Sequence, residues 1–293
     1  MILKRPLFIF ISILIVCVLV ISQLNFKKLA YNHADWLIKR EVLSIFKFYS
    51  PQQEKLKTQL DEYMSWHRKK MLPRYINFLG EVDDRIRLLE LDQKKFSPEE
   101  THQMILKVRS LYQMTLTQLA LKIRVLLGDL KVEQIDRTQT LLDRRLDQWR
   151  KLTDVPKDIL LKELRYSWVG NFEQFLGPLH PDQMRVLEKT IFRLYIPPKF
   201  QLAYEGRMNM KLMEALRTIH ESSEGESGIE RNEVMLQLNS LVEYWQKESQ
   251  FPQWTRELSK LVTKILNLAD KKQIENMRKE IQSWRELMTE LIS

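Results

Sequence analysis

The sequence predicts an all-α protein, an N-terminal membrane-anchor helix (residues 1–28) followed by a multi-helix bundle of about nine or ten helices (residues 29–293). Three observations predict it. Leu7 to Leu24 carries no charge, follows Lys4, Arg5 and Pro6, and is long enough to span a hydrocarbon core as a helix. Only seven glycines and ten prolines punctuate the chain, and the long runs between them are rich in Leu, Lys, Glu, Gln and Arg. No run alternates with period two for long enough to make a strand.

The apolar stretch has three readings. A retained signal anchor needs only the length and the flanks. A cleaved signal peptide needs small residues before the cut, and Val20-Ile21-Ser22 is what the sequence offers. A lipoprotein signal needs Cys17, here preceded by the bulky Val16. Lys4 and Arg5 are opposed by Lys27, Lys28, Lys39 and Arg40, so charge alone does not orient the segment.

Downstream, Leu29 to Leu37 opens a helix running to about Phe48. Ser50-Pro51-Gln52-Gln53 starts the next, with Ser50 as N-cap, Pro51 at the first helical position and Gln53 closing a capping box. Ser97-Pro98-Glu99-Glu100, Lys131-Val132-Glu133-Gln134, His180-Pro181-Asp182-Gln183 and Asp270-Lys271-Lys272-Gln273 repeat the device at irregular spacing. Breaks fall at Gly128-Asp129, Thr153 to Pro156, Gly177-Pro178, Pro197-Pro198 and Phe251-Pro252, and Pro73 kinks a helix. Residues 222–228 have the composition of a flexible loop. Ile274, Met277, Ile281, Trp284, Met288 and Leu291 form one face of the last helix, expected to pack on Leu258, Leu261, Ile265 and Leu268. The seven tryptophans, spread over the chain, read as core or groove anchors.

A formal charge of +9 favours anionic neighbours such as phospholipid head groups, acidic polymers or nucleic acid. Alternating signs, as in Asp83-Asp84-Arg85-Ile86-Arg87 and Asp143 to Asp147, read chiefly as solvated helix faces. The single cysteine, Cys17, lies in the apolar stretch, so the body has no disulfide and no thiolate metal site. Catalytic signatures are near misses. Glu99 and His102 have di-iron spacing without the second Glu-x-x-His, and His220-Glu221 lacks the second histidine of a zinc protease helix. Gly225 to Gly228 lacks the context of a nucleophile elbow, and there is no Walker or dinucleotide fingerprint. No cofactor and no metal are expected.

Two clusters remain as candidate binding or structural residues: Tyr31, Asn32, Asp35 and Trp36, and Trp66, His67 and Arg68 leading into Arg74 and Tyr75. A helix carrying Tyr, Asp and Trp needs partners, which the His/Arg-rich second helix can supply in a buried network that includes Asp35. The same residues can instead form a recognition surface.

Leu29 to Leu37 just after an export signal, followed by Trp66-His67-Arg68 and Leu72-Pro73-Arg74-Tyr75, resembles an uncharacterised family of bacterial all-helical envelope lipoproteins, most clearly over residues 29–80. Members place an acylated cysteine just before the Tyr-Asn motif. Ser22, Gln23 and Leu24 stand there in this chain, so a protein anchor replaces the lipid. Leu179 to Gln183, Phe96 to Glu100 and Leu130 to Gln134 are similar, more weakly, to the Leu-Thr-x-x-Gln helix starts of periplasmic stress chaperones.

Together these readings describe a protein of the bacterial inner membrane, held through residues 7–24, with its body in the periplasm. The expected activity is that of a non-enzymatic interaction or chaperone-like module, using a groove lined with tryptophan and basic residues to bind a protein or envelope component. The alternative is an envelope enzyme acting on cell-wall or lipid substrates, with His67 brought to a carboxylate such as Asp35. Nucleic acid is not an expected partner.

Overall fold

The computed structural model describes residues 31, 33–91, 94–223 and 251–293; the expected anchor, Trp245 and most of the expected 222–228 loop lie outside them. The described residues are helical and contain no strand. The α-helical segments are α1 (Ala34–Phe46), α2 (Ser50–Trp66), α3 (Leu72–Glu90), α4 (Pro98–Leu127), α5 (Val132–Leu152), α6 (Lys157–Leu176), α7 (Pro181–Thr190), α8 (Pro198–Ser223), α9 (Phe251–Asn267) and α10 (Lys271–Ile292). A π turn, His67–Met71, joins α2 to α3 without a break, so these segments make nine helices among the described residues. A helix of that length, from Ser50 to Glu90, extends roughly 60 Å at 1.5 Å per residue.

Two large buried clusters hold the bundle, beside a small one of Trp149, Leu152 and Leu160. The first gathers Ile38, Val42, Ile45, Phe46, Phe48, Leu56, Leu60, Tyr63, Leu126, Leu130, Leu142 and Leu216 from α1, α2, α5, α8 and the C-terminal end of α4. The second gathers Ile86, Phe96, Leu176, Leu187, Leu194, Leu261, Ile265, Ile274, Met277 and Ile281 from α3, α6, α7, α9 and α10. The α2–α3 helix and α4 run between them; apart from the buried Thr115, the middle of α4 is half-buried or exposed, while Thr101 near its start and Leu126 and Leu127 at its end are buried.

All five capping motifs start helices where expected, with one shift. The first begins a residue early: Tyr49 is the N-cap, and Gln52, not Gln53, accepts the Tyr49 N–H at 2.8 Å. Gln53 instead donates to the Phe48 carbonyl. Tyr49 holds extended backbone, which leaves Ser50 free to enter the helix with Pro51 behind it.

The glutamines of these motifs do more than cap. Gln52 Nε2 donates to Gln134 Oε1 at 3.2 Å, and Gln134 Nε2 returns the bond to Gln52 Oε1 at 3.0 Å. Gln183 and Gln273 form the same reciprocal pair at 2.9 and 3.0 Å. Each amide also reaches a carbonyl just ahead of its partner's motif: Gln52 to Asp129, Gln134 to Lys47, Gln183 to Ile265 and Gln273 to Pro178. Lys47 is held in the left-handed region (φ 47°), where its carbonyl meets Gln134. Gly177 at the opposite turn has φ 78°, and a Cβ there would lie 2.9 Å from Asn276 Nδ2, so only glycine fits without a shift. All four glutamines are buried, and a primary amide is the side chain with enough donors and acceptors for this arrangement.

The charge-alternating Asp83 to Arg87 segment is not merely solvated. Arg85 is buried and forms a two-pronged ion pair with Glu100, donates to the Lys94 and Lys95 carbonyls, and lies 4.1 Å from the Phe96 ring centre. Its guanidinium holds the Glu100 carboxyl below the usual carboxylate range. Asp83 and Glu90 both accept from Arg278 on α10. The last helix buries Ile274, Met277, Ile281, Trp284 and Leu287, with Leu261 and Ile265 in the same core, whereas Leu268 is exposed.

Gln183→Ala and Gln273→Ala are each expected to destabilise the full chain by about 1–3 kcal/mol, because each leaves a buried amide and carbonyls unpaired. Urea unfolding in detergent should give a coupling energy of about 0.5–3 kcal/mol for the double variant. Strict additivity would show that the pair is not the unit.

Candidate functional site

The site predicted from the two aromatic clusters forms around the π turn. Pro73 has no N–H to donate to Lys69, and its ring crowds the carbonyl four residues back. The chain widens one turn earlier, where the Leu72 N–H reaches the His67 carbonyl in π register. The expected kink is therefore a π turn, and it points His67 into the bundle.

His67 is 6% exposed and ringed by aromatic side chains. Its ring centre lies 5.8 Å from Tyr31, 6.0 Å from Tyr63, 6.4 Å from Trp66 and 5.6 Å from Tyr75. Its Nδ1 meets the Tyr31 hydroxyl at 2.9 Å, which holds Tyr31, just ahead of α1, against the long helix. Arg68 lies over the Tyr31 ring at 5.8 Å. The other ring nitrogen of His67, Nε2, is buried with no hydrogen-bond partner among the described residues. Tyr75 donates to Thr115 Oγ1 at 2.6 Å, and Thr115 passes its own proton to the Leu111 carbonyl.

Burial governs the electrostatics. It pushes His67 down to about 4, with the Arg68 charge adding to the effect. It pushes Tyr31 up to about 12, partly offset by Arg68, and it raises Tyr63, Tyr75 and Tyr112 as well. At neutral pH the rings are all uncharged, with Arg68 the cation at their edge. Chemically this is a closed, neutral hub in which a phenol engages His67 Nδ1.

The other predicted residues are placed differently. Asp35 has no side-chain hydrogen bond or ion pair among the described residues; it lines an open cleft of about 390 Å³ with Asp61, Met64, Ser65, Arg68, Lys69 and Ile292. It is therefore not a member of the buried network; its side chain opens on the cleft. Trp36 is 54% exposed, with the Arg40 guanidinium 4.9 Å from its ring centre, and so departs from the expected core anchors. Trp149 and Trp284 are buried; Trp66, Trp168 and Trp254 are half-buried. Arg74 is exposed, with Nη1 3.2 Å from Met114 Sδ. Asn32 lies outside the described residues. Sequence reasoning did not single out Tyr63 or Thr115, although Tyr63 sits one turn before His67 on the buried stripe.

A second cleft, about 560 Å³, lies between α5 and α8 and is lined by Leu146, Met210 and Met213 beside Asp143, Glu214 and Arg217. No described tryptophan lines either of these two clefts. Among the described residues no three His, Cys, Asp or Glu side chains group as a metal site. No described helix is long and apolar enough to cross a membrane.

The acid limb of the stability profile tests the hub. Between the ordinary histidine value of 6.5 and about 4, the unfolded chain takes up a proton that folded His67 refuses. Stability is full above pH 6.5 and falls toward pH 4 by about 3 kcal/mol, at 1.36 kcal/mol per pH unit. Chemical denaturation across this range should show the slope in the wild type and lose His67's share of it in His67→Phe. Asp35→Ala, on the open cleft, should stay within about 0.5 kcal/mol of wild type.

The sequence pattern of DUF6279, a family of unknown function, matches residues 46–228, and the chain belongs to that family. The match begins after Tyr31 to Trp36 and includes the π turn, Tyr75 and the Gln52–Gln134 pair. No curated protein and no solved structure matches the chain.

Proposed function

We propose that this chain is a membrane-tethered, non-enzymatic interaction module of the bacterial envelope, held in the inner membrane through residues 7–24 with its helical body in the periplasm. The observation that carries the reading is the contrast between its closed polar interior and its open methionine groove. The buried glutamines, Arg85 and the His67 hub are engaged with other helices or turns of the chain itself. The α5–α8 groove, by contrast, leaves Met210 62% exposed above Met213 and Leu146.

Methionine is unbranched and polarisable, and it adapts to apolar partners of varied shape. The groove therefore suits apolar segments of partly folded envelope proteins better than one fixed small molecule. Its lining sets Leu146, Met210 and Met213 among polar and charged side chains, Gln139, Asn209 and Thr218 beside Asp143, Glu214, Arg217 and Glu221, in place of the tryptophan and basic residues that the sequence suggested. The weak similarity of the helix starts to periplasmic stress chaperones agrees with this reading.

A C-terminal alkaline phosphatase fusion should be active and should sediment with membranes; an inactive fusion beside an active cytoplasmic reporter would reverse the topology. In a client-aggregation assay, the full chain in detergent should suppress light scattering at near-stoichiometric ratios. Met210→Glu should weaken suppression severalfold without moving the melting temperature, because Met210 is already in solvent. Failure to suppress aggregation, together with turnover of a cell-wall or lipid substrate, would replace the binding module by an enzyme.

A further inference from the structure

We propose that the surface formed by Trp36, Arg40 and the Arg68-Lys69-Lys70 run of the π turn docks on the anionic lipid head groups of the membrane that tethers the chain. The inference rests on the reading of residues 7–24 as that tether. Only residues 25–30 separate Leu24 from Tyr31. At about 3.3–3.6 Å per residue they reach roughly 25 Å at full extension. Tyr31 is fixed to His67 at 2.9 Å, and Arg68 lies 5.8 Å from the Tyr31 ring. The basic run therefore stays within one short connector of the bilayer surface.

Charge and side-chain chemistry suit that neighbour. Lys69 and Lys70 are exposed, and neither has an ion pair among the described residues. The cleft itself is balanced, with Asp35 and Asp61 against Arg68 and Lys69. The positive excess comes from Lys70, next to Lys69 on the π turn, and from Arg40, one turn along α1 from Trp36. Each basic residue held near an anionic leaflet raises affinity by about fivefold. Trp36, exposed and covered on one side by Arg40, has the amphipathic ring that settles at head-group depth.

The test uses the full chain with Cys17→Ser and a bimane fluorophore on Ser65→Cys in the cleft, or on Ser167→Cys, exposed on α6, as control. It is reconstituted in nanodiscs of phosphatidylcholine with or without phosphatidylglycerol, each carrying a head-group nitroxide lipid as quencher. Phosphatidylglycerol should raise quenching at position 65 by at least about twofold and leave position 167 unchanged. Lys69→Glu/Lys70→Glu or high salt should abolish the rise. Equal quenching in both lipids, no effect of the glutamates, or equal quenching at the two positions would overturn the proposal. So would loss of the rise on adding inorganic phosphate at constant ionic strength, which would assign the surface to soluble anions. If the chain does not enter the discs, the tether reading fails, and flotation with the same lipids decides the docking surface. Phosphatidylglycerol-dependent flotation lost in the glutamate variant supports it, and no flotation overturns it.

Discussion

Turns between helices belong on the surface, because a helix end leaves backbone donors and acceptors that water must satisfy. This bundle packs two pairs of such turns against each other, and the reciprocal glutamine amides join them. Three of the four glutamines answer their own N-cap amide, and all four answer the partner glutamine and a carbonyl ahead of the partner's motif. Remove that constraint and the ends of α1, α4, α6 and α9 lose the side-chain partners that tie them to the opposite turn.

The two cores follow from the two paired turns, one near each. What remains is to hold them at a fixed separation, and the long helices do this. Arg85 joins the end of α3 to the start of α4 through Glu100, and Asn267 exchanges two hydrogen bonds with the Phe96 backbone in the same region. A buried guanidinium with all its arms engaged costs desolvation, but it fixes direction, because the planar fork accepts few geometries. The half-exposed middle of α4 shows that this stretch acts as a spacer more than as core.

Helix starts were legible because a capping box is written within four residues. The glutamine pairs were not, since their members stand 82 and 90 residues apart and each looks locally complete as a cap. The π turn was half legible. Pro73 announced a disturbance, but its kind left no mark in the apolar stripe: Gln52, Leu56, Leu60, Tyr63, His67, Met71, Tyr75, Leu79, Val82, Ile86 and Leu89 advance by threes and fours throughout, with Leu72 buried beside Met71. In the candidate site the aromatic residue types pointed to a buried hub, and Tyr31, Trp66, His67 and Tyr75 do converge. Asp35 and Trp36 do not join it, because neighbours on a helix point about 100° apart and residue type does not say which face meets the partner. Arg85 was hidden for a related reason: a charge among charges gives no local sign of burial.

The reciprocity of the glutamine pairs makes each turn self-complementary to its counterpart, much as the two halves of a two-fold dimer interface match each other. A helical hairpin released from one molecule would find the same donors and acceptors waiting on a second copy, with no hydrogen bond lost in the exchange. Nothing in the amides themselves confines the match to one chain. What confines it is covalent proximity: the rods keep each turn at a high effective concentration near its own mate, and a lengthened or broken rod would let the same chemistry build chains of exchanged hairpins.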